Sequence, residues 1–326
     1  MRKFGLSGKS VVPLISGTAC AIPAIMATRN IENWKERLIT ILVTPFTTCS
    51  ARLPVYAIII ALVIPDNRVF GFLNMQGMTL MLLYLLGFGM AIFSAYILNK
   101  ILKIKGKTYF VVEMPNYKLP LFKNVGINVI EKTKAFIFGA GKIILAISIV
   151  LWFLASYGPG EKFNNAEKIV TENTINNPLP KAEFENAVAS QKLENSYIGI
   201  MGKAIEPAIS PLGYDWKIGI AIISSFAARE VFVGTLATIY SVGGSDNEVT
   251  IKNKMAAEIN PVTGEKIFNF ASGISLLLFY AFAMQCASTL AVTKKETNSW
   301  KWPAGQLIFM SGFAYVVALI AYQILK

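Results

Sequence analysis

An all-α, polytopic membrane protein with discontinuous or re-entrant helices is the fold class this sequence predicts, and three observations predict it. Of 326 residues, 54% are hydrophobic and only 15% charged, with mean hydropathy +0.51, whereas soluble chains carry about 25% charged residues. Several nearly uncharged windows are long enough to span a hydrocarbon core of ~30 Å. Two stretches near opposite ends of the chain also repeat one another.

The windows are of two kinds. Met78 to Asn99, Ile267 to Thr293 and Trp302 to Leu325 carry no charge, and Ala135 to Gly160 carries only Lys142, which can snorkel. These four predict uninterrupted spanning helices. Three others are broken: Ser10 to Thr28 by Pro13, Gly17 and Pro23; Leu38 to Pro65 by Ser50-Ala51-Arg52-Leu53-Pro54; and Ile218 to Val242 by Arg229-Glu230. Backbone groups freed by such breaks need new partners in lipid, so these stretches belong inside protein or beside water. Kinked helices would satisfy any one of them; three together favour the discontinuous helices that build transport sites.

Lysine sets the orientation. Asn99 to Ala135 holds eight lysines against two acids and is placed in the cytoplasm, whereas Gly158 to Trp216 holds five lysines against eight acids and is placed outside. Simple alternation then puts Lys294 to Trp302 outside despite three lysines and one acid, unless a broken segment re-enters. Met1-Arg2-Lys3 and Lys9 before an apolar run imitate a signal peptide, but Pro13 and Pro23 spoil its helix.

The repeat aligns Cys20 through Lys35 with Cys286 through Lys301 without a gap. The shared Cys-Ala and Trp-Lys pairs make four identities in sixteen positions. Arg29 and Lys295 fall at the same offset, and Ser225 to Val233 is an upstream piece whose counterpart would precede Met1. Internal repeats are common in transporters.

Gly17-Thr18-Ala19-Cys20-Ala21-Ile22-Pro23-Ala24-Ile25-Met26-Ala27-Thr28-Arg29, Cys49 to Tyr56, Ser225 to Val233, Cys286 to Val292 and Glu296 to Trp302 resemble, in order, the gate motifs of the ferrous iron transport protein B family. Phe110 to Pro120 resembles the linker into its central domain. The resemblance implies a division into 1–64 (second half of a first gate repeat), 65–134 (spanning helix and cytoplasmic linker), 135–216 (central spanning helix and extracytoplasmic loop) and 217–326 (second gate repeat and C-terminal helix). It implies a permease that moves Fe2+ into the cytoplasm across a bacterial inner membrane. That family begins with a GTP-binding domain, yet no GxxxxGK[ST] loop occurs here; Gly8-Lys9-Ser10 lacks the earlier glycine. GTP and Mg2+ are therefore expected to act only through a domain outside this chain, on the same or a split protein. The chain reads as the C-terminal membrane portion. Membrane lipid, a small cytoplasmic Feo-type accessory protein and a homo-oligomeric partner are further implied, and nucleic acid is not.

Ferrous iron is of borderline softness and accepts thiolate, thioether, carboxylate and carbonyl ligands. With no histidine in the chain, the candidate metal ligands are Cys20, Cys286, Cys49, Glu230 and Met284, with Met26 and the carbonyls beside Pro23 and Pro54. Each cysteine could equally be a small buried hydrophobe, and Glu230 could pair with Arg52. Arg229 could hold a helix end or a phosphate headgroup. The missing histidine excludes Ser-His-Asp hydrolases and HExxH proteases, and the cysteines at 20, 49 and 286 form no CxxC pair. A membrane enzyme would need an acid cluster such as DxxD, which is not visible. A nucleoside or other small-solute transporter sharing the gate repeat is the alternative reading.

Overall fold

The computed structural model describes residues 4–69, 73–102, 121–174, 181–227, 229–239, 255 and 266–326. Two short helices, α1 (Val11–Ser16) and α2 (Ala21–Ala27), precede α3 (Trp34–Val43), α4 (Leu53–Val63) and the long α5 (Met75–Ile101). A two-residue antiparallel ladder, Arg68–Val69 on Leu73–Asn74, lies before α5, with Arg68 opposite Asn74. Helix α6 (Phe122–Phe136) runs through a π turn, Ile137–Gly141, into α7 (Lys142–Ser156). Then come α8 (Glu161–Asn164), α9 (Ala166–Thr174), α10 (Lys181–Glu194), α11 (Tyr197–Ile209), α12 (Trp216–Ser225) and α13 (Val231–Ile239). The chain closes with α14 (Phe270–Phe282), α15 (Ala287–Thr297) and α16 (Lys301–Leu325). The Phe110 to Pro120 linker and the Asn-Asn-Pro-Leu-Pro stretch at 176–180 lie outside the described residues.

Among the described residues, four helical segments are long and apolar enough to cross a membrane: Trp34–Val63, Met75–Ile101, Phe270–Thr297 and Lys301–Leu325. Their outer faces carry large exposed apolar side chains, such as Leu82, Leu85 and Phe93 on α5 and Ile308, Phe309 and Ile324 on α16. A water-facing surface does not sustain such faces, and lipid does.

The helical course expected for Ala135 to Gly160 holds as far as Ser156: α6, the π turn and α7 follow one another without a gap from Phe122 to Ser156. One expectation is corrected. The uncharged run Ile267 to Thr293 is not uninterrupted: α14 stops at Phe282, and Ala283 takes up extended backbone at φ −64°, ψ 142°. The three segments expected to be broken are broken: at 17–20; at 44–52, earlier than the expected Ser50 to Pro54, because Leu53 and Pro54 already form the first turn of α4; and at 226–227 and 229–230.

The described contacts fall into two compact units. The first comprises Met1–Cys49, Gly87–Ala146 and Ser288–Gln306. In it Ile22 and Ile25 of α2, Ile41 of α3 and Val292 of α15 form a buried cluster, against which Cys20 and Met26 pack. Repeat-related helices α2 and α15 are thus neighbours. Lys35 Nζ donates to the Asn99 carbonyl at 3.1 Å, and Arg37 on the same helix donates to Glu296 at 2.8 Å. These bonds place the Lys294 to Trp302 loop at the Asn99 end of α5. Simple alternation is overturned, and the excess of lysine in this loop no longer conflicts with its position. The repeat-matched tryptophans share this end: Arg37 stands 5.8 Å from the Trp34 ring and Lys294 4.1 Å from the Trp300 ring, an interfacial pattern.

The second unit comprises Ser50–Leu86, Ile147–Ala287 and Leu307–Lys326. Its core packs Tyr56, Ile59 and Ile60 of α4 on Leu276, Leu277 and Tyr280 of α14, with Phe232 and Leu236 of α13. Two polar groups there are paired: Tyr214 Oη and Ser275 Oγ lie 2.9 Å apart, and Ser275 Oγ donates to the Ala318 carbonyl at 3.0 Å.

Close packing at Gly87 supports the break after α3. A β-carbon on Gly87 would lie 2.7 Å from Thr48 Oγ1 and 3.1 Å from the Phe46 carbonyl oxygen. Gly87→Ala must displace unwound backbone, so a loss of about 1–3 kcal/mol is expected. Thermal unfolding of the purified variant checks it, and an unchanged Tm would show that the break yields freely.

Candidate functional site

Two interrupted helices meet in the second unit. α12 is capped by Asp215, whose side chain accepts from Ile218 N at 2.9 Å, and it ends at Ser225. The backbone turns at 226–227 and again at 229–230 before α13 begins. The second interruption is Ala283-Met284-Gln285-Cys286, between α14 and α15. Ala287 N donates to the Phe226 carbonyl at 3.0 Å, and Arg229 Nη2 donates to the Ala283 carbonyl at 3.2 Å. Each break therefore supplies a partner for a group the other has freed, as buried backbone requires. A cavity of about 340 Å3 opens against both breaks, touching Phe226, Ala227, Ala283, Met284 and Gln285.

The first unit holds a comparable break. The hydroxyls of Thr44 and Thr47 bond back to the Thr40 and Thr44 carbonyls at 2.6 and 2.7 Å, and Gln306 Nε2 donates to the Leu42 carbonyl at 3.0 Å. Side chains thus replace helix bonds where Pro45 interrupts α3. On α15, Ser288, Thr289, Thr293, Glu296 and Thr297 are all buried, and their spacing puts them on one side of the helix. Among the described residues, Ser288 Oγ and Thr293 Oγ1 have no hydrogen-bond partner. This polar side ends at Glu296, whose carboxylate accepts from Arg29 Nε at 3.0 Å and from Arg37 Nη2 at 2.8 Å. The Glu296 side chain is 3% exposed against 47% for Arg29 and 23% for Arg37, so one buried anion holds two cations. Hydrogen bonding to Glu296 raises the Arg29 pKa further, against a smaller opposing effect of burial.

The candidate ligands expected from sequence fall as follows. Cys20 and Cys286 each stand one residue before a helix, α2 and α15, and both are half-buried. That matched placement agrees with the repeat. Cys49 is half-buried beside the fully buried Thr48. Met284 is 1% exposed on the second break, whereas Glu230 is exposed on the first. Arg52 is fully buried, so Glu230 and Arg52 occupy different environments. Among the described residues no three Cys, Asp or Glu side chains cluster as a metal cage. Sequence reasoning missed Gln285, Tyr280 and the polar side of α15. An amide between Met284 and Cys286 in an uncharged run, and hydroxyl residues at helical spacing, were the available signals.

The Gate family model, described as Nucleoside recognition, matches residues 1–63 and 137–300. A second model, Ferrous iron transport protein B C terminus, matches residues 80–132. A protein named Fe(2+) transporter FeoB from Leptospira interrogans serogroup Icterohaemorrhagiae serovar Lai (strain 56601) is 44% identical over 324 residues, covering 99% of this chain and 44% of that protein. Fe(2+) transporter FeoB of Staphylococcus aureus (strain MSSA476) is 34% identical over 99% of this chain and 42% of its own length. A Fe(2+) transport protein A/Fe(2+) transporter FeoB fusion protein of Porphyromonas gingivalis (strain ATCC BAA-308 / W83) is 33% identical over 99% of this chain and 38% of its own length. The chain thus spans less than half the length of these relatives. No solved structure matches.

Proposed function

Because this chain belongs to the Gate family, with a ferrous iron transport protein B C-terminus domain between its Gate segments, we propose that it is the membrane permease part of a ferrous iron uptake transporter, moving Fe2+ into the cytoplasm. The observation that carries this reading is the meeting of two helix breaks, with Met284 and Cys286 on one of them. Unwound backbone inside a membrane protein presents carbonyl oxygens, and transport sites form at such interruptions. Thioether, thiol and carbonyl groups together suit Fe2+ and bind it loosely enough to release it. Cys20 and Cys49 beside breaks in the first unit, and Glu230 on an exposed turn of the second, are further candidate ligands.

GTP hydrolysis and its Mg2+ belong to a GTP-binding domain on the same or a separate chain. The Porphyromonas gingivalis relative, a fusion with Fe(2+) transport protein A, supports a small Feo-type accessory partner. The setting is a bacterial inner membrane, crossed several times. The ferrous iron domain within the chain favours iron over a nucleoside, although the Gate model itself is described by nucleosides. Proteoliposomes holding the complete transporter test the two cargoes: accumulation of Fe2+ and not of adenosine is expected, and the reverse would overturn the reading.

The orientation has its own test. With the native cysteines replaced by serine, Glu172→Cys is expected to react with an impermeant maleimide on intact cells. Lys123→Cys and Lys301→Cys are expected to react only after permeabilisation. Labelling of position 123 or 301 but not 172 on intact cells would invert the topology.

A further inference from the structure

At the meeting of the two breaks, polar groups are left over that the backbone cross-bonds do not use. Arg229 is 5% exposed, Gln285 4% and Tyr280 0%. Arg229 spends Nη2 on the Ala283 carbonyl, yet among the described residues its Nη1, Gln285 Nε2, Gln285 Oε1 and Tyr280 Oη make no hydrogen bond of good geometry. The Tyr280 hydroxyl stands close enough to Ser225 and Gln285 for weak hydrogen bonds, with Arg229 nearby. Ser225 Oγ is already committed to the Ile222 carbonyl at 2.7 Å. Among the described residues Arg229 forms no ion pair with a carboxylate.

A buried guanidinium without counter-charge is costly at membrane depth, by about 2.5–3.5 kcal/mol even on the mildest scale. Buried donors without acceptors add to that cost. The unused groups are mainly donors: the Nη1 hydrogens of Arg229, the amide hydrogens of Gln285 and the hydroxyl of Tyr280. A positive charge with convergent N–H and O–H donors repels a divalent cation and attracts an anion.

We propose that the crossing of the two helix breaks binds a small inorganic anion of chloride size, held by Arg229 Nη1, Gln285 Nε2 and Tyr280 Oη. The anion neutralises Arg229 and leaves Gln285 Oε1 to accept from a water. Beside Met284 and Cys286 it also removes a positive field that would oppose a passing cation. The assignment rests on the leftover donors alone and stands whether the cargo is iron or another solute.

Chloride-35 NMR on the purified chain in detergent, with gluconate replacing chloride at constant ionic strength, tests it. Saturable line broadening, reversed by bromide but not by gluconate, is expected. Gln285→Leu should weaken chloride binding by at least about tenfold, as expected for a lost hydrogen bond to a charged group. Tyr280→Phe should weaken it less, and Arg229→Gln should abolish it. If Arg229→Gln does not fold, Gln285→Leu and Tyr280→Phe, both near-isosteric, carry the test. No saturable broadening, or broadening equal in wild type and both of those variants, would overturn the assignment and leave water as the occupant.

Discussion

Serine at both Cys20 and Cys286 is expected to reduce Fe2+ uptake by the complete transporter by about a hundredfold, with each single change costing about tenfold. A hydroxyl stays protonated near neutral pH and is a far poorer ligand for a borderline-soft ion than a thiolate, whose deprotonation the metal itself promotes. The fold should tolerate the change. Both residues are half-buried, neither is in a disulfide, and Ser differs little from Cys in volume. Helices α2 and α15 begin at the following alanines, so their starts do not depend on sulfur. Iron uptake into proteoliposomes, normalised to inserted protein, is the measurement. Unaltered uptake by the double variant would reduce both cysteines to packing residues and remove them from the path.

Glu296→Gln is expected to destabilise the protein by about 2–3 kcal/mol. Removing one member of a buried ion cluster costs about 3–5 kcal/mol when its partners stay charged and dry; here the exposure of Arg29 and, less so, Arg37 lets water screen part of it. What remains is mainly Arg37, whose Nε already lacks a partner. Adding Arg37→Met to Glu296→Gln should recover more than half of the loss, because it removes the stranded charge. Unfolding midpoints of wild type, both single variants and the double variant form the cycle. Additive losses would show that Glu296 and Arg37 do not act as a pair. The cluster ties the turn after α2, α3 and α15 at the Asn99 end of α5, so Glu296→Gln should also loosen the Lys294 to Trp302 loop, seen as faster proteolysis there.

Much of this was legible in the chain. Gly17 announced the interruption at 17–20, and Ser50 to Pro54 announced one in Leu38 to Pro65, although that break begins earlier, at Thr44-Pro45, and Pro54 itself stands in the first turn of α4. The ungapped match of Cys20-Ala21 with Cys286-Ala287 announced two cysteines in equivalent positions, and both stand immediately before a helix. The lysine excess in Lys294 to Trp302 was legible as well, but it contradicted a count of crossings. Arg37 on Glu296 and Lys35 on Asn99 resolve that contradiction.

The sequence by itself determined that the chain is helical and membrane-embedded and that three of its apolar segments are interrupted. Those properties depend on local quantities: transfer of side chains into lipid, and the bond from each N–H to the carbonyl four residues earlier. Only the tertiary structure decided that α14 and α15 are separate helices. Ala283-Met284-Gln285-Cys286 contains neither proline nor glycine, and nothing within it forbids a continuous helix. Its interruption is held by partners remote in the chain, Arg229 on the Ala283 carbonyl across 54 residues and the Phe226 carbonyl on Ala287 N. A hydrogen bond between distant segments leaves no periodicity in either one, so the break, and with it the placing of Gln285, Tyr280 and Arg229 around one point, emerges only when the two segments pack.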